Sequence, residues 1–255
     1  MERQSMNKIG NELEIAKKYM LTTIETKGLV KITQNNVARV EAMIQNDAAY
    51  LNSGNKEYGP DKNGKGGSTA YWMCQLRDYI KKNMTDRKTY KNIIANAVIA
   101  VDRDNSTHLN ADGVGRNEIT ERICKIPLEK LLHYLQDPHD TKYKLVEIIA
   151  RKTSATIRPR ENKSFASKFC HYACFYLFEG KKEQDNYSIY DSILKNALPL
   201  YIDYYGIDVK KQELEDYAVY SETIEKIIKK AGNKISKNGF DHLLWYYYKG
   251  RIKVS

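Results

Sequence analysis

The hydrophobic periodicity of this chain is helical along almost its whole length. Apolar residues recur every three or four positions, whereas the strict alternation of a half-buried strand is rare. One apolar stripe contains Val37, Val40, Ile44 and Ala48 and predicts a helix over about residues 34 to 51. Because 42% of the residues are hydrophobic, the chain can also fill a core. The sequence therefore predicts an all-α protein, a compact two-lobed helical bundle.

The same periodicity predicts the other helices and the connections between them. Helices are expected over about residues 70 to 83, 86 to 101, 117 to 124, 127 to 136, 141 to 153, 163 to 177, from Asp191 onward, 214 to 230 and 238 to 249. A loop rich in Gly, Pro, Asn and Lys, at residues 53 to 69, is expected to protrude. No internal repeat is visible, so we interpret residues 1–255 as one unit with possible lobes over residues 1–116 and 117–255.

The charge balance favours an anionic partner. The chain carries 42 Lys and Arg against 32 Asp and Glu, a formal net charge of +10. Clustered basic side chains bind a phosphate backbone by displacing its counterions, although a generally basic surface would give the same balance. The chain also has 20 tyrosines, whose rings can stack on bases while their hydroxyls reach a phosphate. Most of these tyrosines are expected in the core, and the rest favour nucleic acid as the partner.

The apolar residues and the cysteines exclude several other classes. No stretch approaches the roughly 18 to 20 continuous apolar residues that span a bilayer, and the first residues form no apolar signal segment. We therefore expect a cytoplasmic protein with no membrane partner. The cysteines form no C-x-x-C pair, which argues against a disulfide scaffold or a four-cysteine metal site. Cys170 and Cys174 are expected as buried residues on one helix face, and we expect neither a metal nor a cofactor.

One region of about sixty residues resembles a known superfamily. Across residues 141 to 200 the order is helix, basic hairpin, helix, loop, Asp, helix, carried by KTSATIRPRENK, SFASKFCHYA and YSIYDSILKNAL. This order resembles the helix-hairpin-helix DNA glycosylase superfamily. The chain departs from the usual Pro-Gly-x-Gly hairpin and lacks the iron–sulfur cysteines of some members. The resemblance implies a divergent member, a single helix-hairpin-helix unit of the type that acts in repair or in defence against phages.

The resemblance implies that Asp191 is the catalytic residue. Cleavage of an N-glycosidic bond develops positive charge on the sugar, and a fixed carboxylate stabilises that charge and orients the attacking water. A helix N-terminus favours the ionised form of such a carboxylate. The alternative interpretation is structural, because Asp is a preferred N-cap and Ser188-x-x-Asp191 resembles a capping arrangement.

The resemblance also implies where DNA phosphates bind. The hairpin residues Arg158, Arg160 and Lys163, with Lys168 one helical turn further on, are the candidates for these contacts. Some members of the superfamily use a lysine that attacks the sugar carbon. Neither Lys163 nor Lys168 falls on that position, so we expect exposed lysines and a monofunctional enzyme that uses water.

A glycosylase must also hold the flipped base between aromatic or apolar walls. The candidates are His171, Tyr172, Tyr187, Tyr190 and Trp245. Core packing is the alternative for each of them, and it is favoured for Trp245.

These observations together predict a DNA glycosylase that acts on double-stranded DNA containing a flipped modified or damaged base. A helical DNA-binding protein that has the same scaffold but no catalysis is the main alternative. A helical RNA-binding protein is a further one.

Overall fold

A computed structural model of the chain describes residues 18, 20–46, 57–62, 66–105, 107, 109, 114–154, 161–232, 234–252 and 254. Within these ranges the protein is all-helical, and the only β-type contact is an isolated bridge between Pro60 and Gly66. The predicted all-α class is therefore confirmed. No helix within these ranges combines the length and the apolar composition that crossing a bilayer requires.

The helices follow the predicted order. They are α1 (Gln34–Ile44), α2 (Thr69–Lys81), α3 (Arg87–Asp104), α4 (Val114–Cys124), α5 (Leu128–Gln136), α6 (Lys144–Ala150), α7 (Lys163–Leu177), α8 (Ser192–Tyr205), α9 (Tyr217–Lys230) and α10 (Lys237–Tyr248). Residues 20–27 are also helical, and short 3-10 helices lie at Lys182–Asp185 and Lys211–Glu215. α1 ends at Ile44, before the predicted end at residue 51, and residues 47–51 lie outside the described part.

Polar N-caps explain where several helices begin. Ser68 caps α2, Asp86 caps α3, Asp216 caps α9 and Ser236 caps α10, each by accepting a hydrogen bond from a backbone N–H of the first turn. These side chains satisfy donors that would otherwise have no partner in the helix.

Helix α7 lies at the centre of the fold. It packs against α2, α3, α5 and α6. Its core side carries Phe165, Phe169 and Ala173, which are fully buried, together with Cys170 and Cys174. The two cysteines therefore pack as small apolar residues, as the sequence predicted. The opposite side of α7 faces a cleft, which is described in the next subsection.

The N-terminal and C-terminal regions pack together. α1 contacts α10, and the Tyr201 hydroxyl donates to the Val30 carbonyl at 3.1 Å. The hydroxyls of Tyr247 and Tyr248 donate to the carbonyls of Lys27 and Gly28, each at 2.9 Å. These contacts join residues on both sides of residue 116, and the division into lobes at that residue stays a prediction.

The connection between α6 and α7, where the sequence predicts a hairpin, is described only at its ends. The Asn162 N–H donates to the Ala150 carbonyl at 2.7 Å, and Arg122 donates to the carbonyls of Arg151 and Lys152. Residues 155–160 lie outside the described part. The helix-hairpin-helix geometry therefore stays a prediction.

The described residues of the loop at 53–69 make several hydrogen bonds with α2, its N-cap and α3, and the prediction that the loop protrudes stays a prediction because residues 53–56 and 63–65 lie outside the described part. The Trp72 indole N–H donates to the Gly66 carbonyl at 2.9 Å, and Arg103 donates to the Gly67 carbonyl at 2.8 Å. The Tyr58 N–H donates to the Ser68 hydroxyl at 3.1 Å. The backbone groups of Tyr58, Gly66 and Gly67 are thus bonded to the N-cap of α2, to α2 and to α3.

Replacing Gly67 by Ala should destabilise the protein. Gly67 has a φ of +82°, and an added Cβ would lie 2.6 Å from the Trp72 indole nitrogen. Strain and overpacking together should lower the free energy of unfolding by about 1–3 kcal/mol, measured by urea denaturation. Gly28→Ala is the matched control, because its φ is +63° but a Cβ there meets open space. Equal losses in both variants would show that the contact with Trp72 is not the cause.

Candidate active site

A cleft of about 650 Å³ lies between α7 and α10, and the end of α3 and the segment before α8 form its other walls. Its volume falls in the range of roughly 300–1,000 Å³ that is usual for small-ligand sites. The lining residues are Asp104, Asn105, Lys168, His171, Tyr172, Phe175, Tyr176, Ile189, Asp191, Asn238, Asp241, His242, Trp245, Tyr246, Lys249 and Arg251.

Helix α7 presents one continuous face to the cleft. Lys168, His171, Tyr172, Phe175 and Tyr176 follow the i, i+3, i+4, i+7, i+8 spacing that places side chains on one side of a helix. The Lys168 amine donates to the Asn105 carbonyl at 3.5 Å, and the Tyr172 hydroxyl donates to the Asn105 side-chain oxygen at 3.0 Å. Because Asn105 ends α3, these bonds connect the cleft face of α7 to a second wall.

His171 is the most deeply buried member of that face, with 2% of its surface exposed. Its Nδ1–H donates to the Tyr187 carbonyl at 3.0 Å. Burial lowers the pKa of the imidazole below its ordinary value, although the Tyr187 carbonyl opposes this effect. His171 is therefore a neutral group at neutral pH, and it contributes shape and hydrogen bonding to the cleft rather than charge.

Helix α10 presents a face with the same spacing. Asn238, Asp241, His242, Trp245 and Tyr246 lie at i, i+3, i+4, i+7 and i+8. The His242 Nδ1–H donates to a Glu41 carboxylate oxygen at 2.7 Å and so attaches this face to α1. The two helices therefore line the cleft with both aromatic and polar side chains.

Asp191 is the N-cap of α8. Its Oδ1 accepts a hydrogen bond from the Ile193 N–H at 2.7 Å, and its side chain is half-buried in the cleft wall. The hydrogen bond that caps α8 therefore also fixes the orientation of the Asp191 carboxylate.

The segment before Asp191 is held from both sides. The Tyr190 N–H donates to the Ser167 hydroxyl of α7 at 2.8 Å. From α9, the hydroxyls of Tyr217 and Tyr220 donate to the carbonyls of Ser188 and Ile189, at 2.5 and 2.8 Å. The aromatic residues around Asp191 thus fix the backbone that positions it.

Asp241 is a second carboxyl group in the cleft. The residue is 8% exposed, and its Oδ1 is buried without a hydrogen-bond partner in the described part of the chain. Burial raises the pKa of this carboxyl from the ordinary 3.8 to about 7. The Asp191 carboxylate also raises this pKa, and His242 and Lys168 lower it. Near neutral pH the cleft therefore holds a carboxyl group that exchanges a proton.

Basic side chains lie beside two of the aromatic rings that line the cleft. The Lys249 amine is 5.7 Å from the centre of the Trp245 ring, and the Arg251 guanidinium is 4.9 Å from it. Arg251 also lies 6.0 Å from the Tyr246 ring. These cation–π contacts hold positive charge beside rings that line the cleft.

The structure brings together Asp191, Lys168, His171, Tyr172 and Trp245 in the cleft wall. These residues come from α7, from the start of α8 and from α10, so they are distant in sequence but share one site. Trp245, for which the sequence favoured core packing, lies half-buried at the cleft surface.

The other predicted residues lie elsewhere. Tyr187 is fully buried, and its hydroxyl donates to the Tyr134 carbonyl at 2.6 Å. The Tyr190 hydroxyl donates to Glu215 at 3.0 Å, and the Lys163 amine lies 2.6 Å from the Glu215 carbonyl and 2.9 Å from Glu161. These residues do not line the cleft, because their polar atoms stabilise contacts between other elements. Arg158 and Arg160 lie outside the described residues.

The sequence did not single out several cleft residues. Asp241, Phe175, Tyr176, Lys249 and Arg251 were missed as candidates. The signal that could have found Asp241 is its position four residues before Trp245, on the same face of α10.

The cleft is not an evident metal centre. Over the described residues, no group of His, Cys, Asp and Glu side chains has an arrangement that could hold a metal ion.

This chain was also compared with known proteins. No family model, curated protein or solved structure matches it.

Proposed function

We propose that this protein is a DNA glycosylase that hydrolyses the N-glycosidic bond of a modified or damaged base. The observation that carries the proposal is the position of Asp191, a carboxylate fixed at a helix N-terminus inside a cleft with aromatic walls. The cleft is large enough for a nucleotide extruded from a duplex. Such an enzyme acts in the cytoplasm, in DNA repair or in defence against phages.

The chemistry assigns a role to Asp191. As the bond between the base and C1′ lengthens, positive charge develops on the sugar, and a nearby ionised carboxylate stabilises it. The same group orients or deprotonates the water that attacks C1′. The reaction needs no attack by an amine and leaves an abasic site in an intact strand.

The other cleft residues fit a flipped nucleotide. Tyr172, Phe175 and Trp245 provide flat surfaces against which a base can stack. Lys168, Lys249 and Arg251 provide positive charge for the neighbouring phosphates. The net charge of +10 supports binding to the duplex around the site.

One observation favours a second candidate function, a helical DNA-binding protein without catalysis. The hydrogen bond from Ile193 gives Asp191 a complete role as an N-cap. The aromatic and basic residues of the cleft would then hold a nucleotide without cleaving it.

The experiment that separates the two candidates measures base release from a panel of duplexes. The panel contains oxidised, alkylated and deaminated bases, and genomic DNA of phages with hypermodified cytosines. We expect abasic sites with at least one substrate, and strand breaks only after alkali treatment. Tight binding to DNA with no base released from any substrate would support the binding protein. Strand breaks without alkali would show that an amine, such as that of Lys168, attacks the sugar.

Replacing Lys249 and Arg251 together by Gln should weaken DNA binding and reduce its dependence on salt. Each phosphate contact contributes about 0.9 to the slope of log affinity against log salt concentration, so the slope should fall by up to about 2. Fluorescence anisotropy over a range of salt concentrations measures this slope. The control is Lys125→Gln, an exposed residue that does not line the cleft. Parallel salt curves for the double variant and the wild type would exclude phosphate contacts by these two residues.

A further inference from the structure

Two carboxyl groups line the cleft in different environments. Asp191 is half-buried, and the Ile193 N–H donates a hydrogen bond to it. Asp241 is more than nine-tenths buried, and its Oδ1 has no hydrogen-bond partner within the described ranges. A buried polar atom without a partner costs free energy, so its retention in a cleft indicates that a proton or a bound ligand completes its bonding.

The charged groups around Asp241 have opposing effects on its ionisation. Burial has the largest effect and raises the pKa of this carboxyl to about 7. The ionisable groups that act on Asp241 or are affected by it are Asp191 before α8, Lys168 on α7, Glu41 on α1, His242 on α10 and Tyr220 on α9. The carboxylates of Asp191 and Glu41 oppose the ionisation of Asp241, whereas Lys168 and His242 favour it. Asp241 thus keeps its proton to higher pH than an exposed carboxyl group does, which suits an acid role in the cleft.

We infer that Asp241 is the general acid of the cleft: it donates its proton to the base that leaves, while Asp191 stabilises the sugar. This inference rests on the proposed glycosylase function. It makes Asp241 a catalytic residue on α10, an element separate from the one that carries Asp191.

The reaction balances with one water. The bond between C1′ and the base nitrogen breaks, and its electron pair goes to the base, which takes the proton of Asp241. The oxygen of water bonds to C1′, and the water passes one proton to Asp191 and from there to solvent. Asp241 regains a proton from solvent. One water is consumed, and the products are the free base and the abasic sugar.

The presence of an acid specifies the class of substrate. A purine alkylated at N7 or N3 carries positive charge and leaves as a neutral molecule without taking a proton. A neutral base leaves as an anion unless an acid protonates it, and general acid catalysis contributes about 10²–10⁴ in rate. The acid role of Asp241 therefore predicts that the substrate is a neutral modified base rather than a cationic alkylated one.

The test compares release of neutral and cationic bases by the wild type and by Asp241→Asn under single-turnover conditions. The neutral probes are duplexes with 5-hydroxymethylcytosine, its glucosylated form, 8-oxoguanine, hypoxanthine or uracil, and the cationic probe is a duplex with 7-methylguanine. We expect the wild type to release at least one neutral base and the variant to release it about 100-fold or more slowly. Any release of 7-methylguanine should change only a few-fold.

The pH dependence gives a second measurement that does not depend on how well the variant folds. The wild-type rate for the neutral base should fall about tenfold per pH unit above the pKa of Asp241, because only the protonated acid is active. Release restricted to 7-methylguanine, a rate for the neutral base that stays constant through this range, or equal losses for both classes of base would overturn the acid role and leave the glycosylase function intact. No release of any base by a wild type that binds DNA would overturn the glycosylase function, and the acid role with it.

Discussion

Asp191→Asn should abolish most base release and leave the fold and the DNA affinity close to those of the wild type. The substitution removes the negative charge that stabilises the sugar and activates water, which should lower the rate by about 100-fold to 10,000-fold. Asn is as good an N-cap as Asp, so the hydrogen bond from Ile193 can be kept. Single-turnover kinetics on the substrate that the duplex panel identifies measures the effect.

Two control variants separate catalysis from capping. Asp191→Ala removes both the charge and the cap, and it should add a loss of about 1 kcal/mol in the free energy of unfolding. Asp216→Asn changes the N-cap of α9, which does not line the cleft, and should leave the rate unchanged. If Asp191→Asn released bases at the wild-type rate, the residue would be a cap alone and the glycosylase proposal would lose its main support.

Asp241→Asn should make the protein more stable than the wild type at alkaline pH. Folding raises the pKa of Asp241 from 3.8 to about 7. Between these values the unfolded chain has lost the proton and the folded chain has kept it, so the free energy of unfolding falls by about 1.4 kcal/mol per pH unit. The contribution of Asp241 to the free energy of unfolding is fully present below about pH 4 and is lost as the pH rises to about 7. The Asn side chain does not ionise, so the free energy of unfolding of the variant does not fall in this way as the pH rises.

The measurement is urea denaturation of both proteins at pH 4, 6 and 8. The stability of the variant minus that of the wild type should increase by on the order of 4 kcal/mol across this range. Asp203→Asn, an exposed position on α8, serves as the control and should show no comparable increase. A difference that stays constant with pH would mean that Asp241 ionises in the folded protein as readily as in the unfolded chain. It would also remove the support for its acid role.

Local patterns predicted much of the fold and part of the candidate site. Apolar spacing predicted α7 with the bounds that the structure has, and the polar residue before an apolar run predicted that α8 begins after Asp191. Of the cleft residues of α7, Lys168, His171 and Tyr172 were proposed through the resemblance, whereas Phe175 and Tyr176 on the same face were missed. The resemblance supplied the role of Asp191, which spacing alone does not distinguish from a cap.

Contacts between distant elements could not be predicted in this way. Tyr187 and Tyr190 are close to Asp191 in sequence, but their hydroxyls bond to Tyr134 and Glu215, which belong to other elements. The position of Asp241 in the cleft depends on how α10 lies relative to α7, and its burial depends on the same packing. Periodicity indicates which face of a helix is buried, but not which helix covers it.

The contacts between residues 27–30 and the end of the chain affect how this protein can be made. Tyr247 and Tyr248 bond to Lys27 and Gly28 across 220 positions of sequence. A domain generally folds as a unit, and such distant pairs slow folding. During translation, the segment at residues 27–30 emerges from the ribosome long before Tyr247 and Tyr248. It cannot form these hydrogen bonds until the end of the chain has been synthesised. A nascent chain that stops before α10 lacks one wall of the cleft, so the complete site forms only after nearly the whole chain has been made.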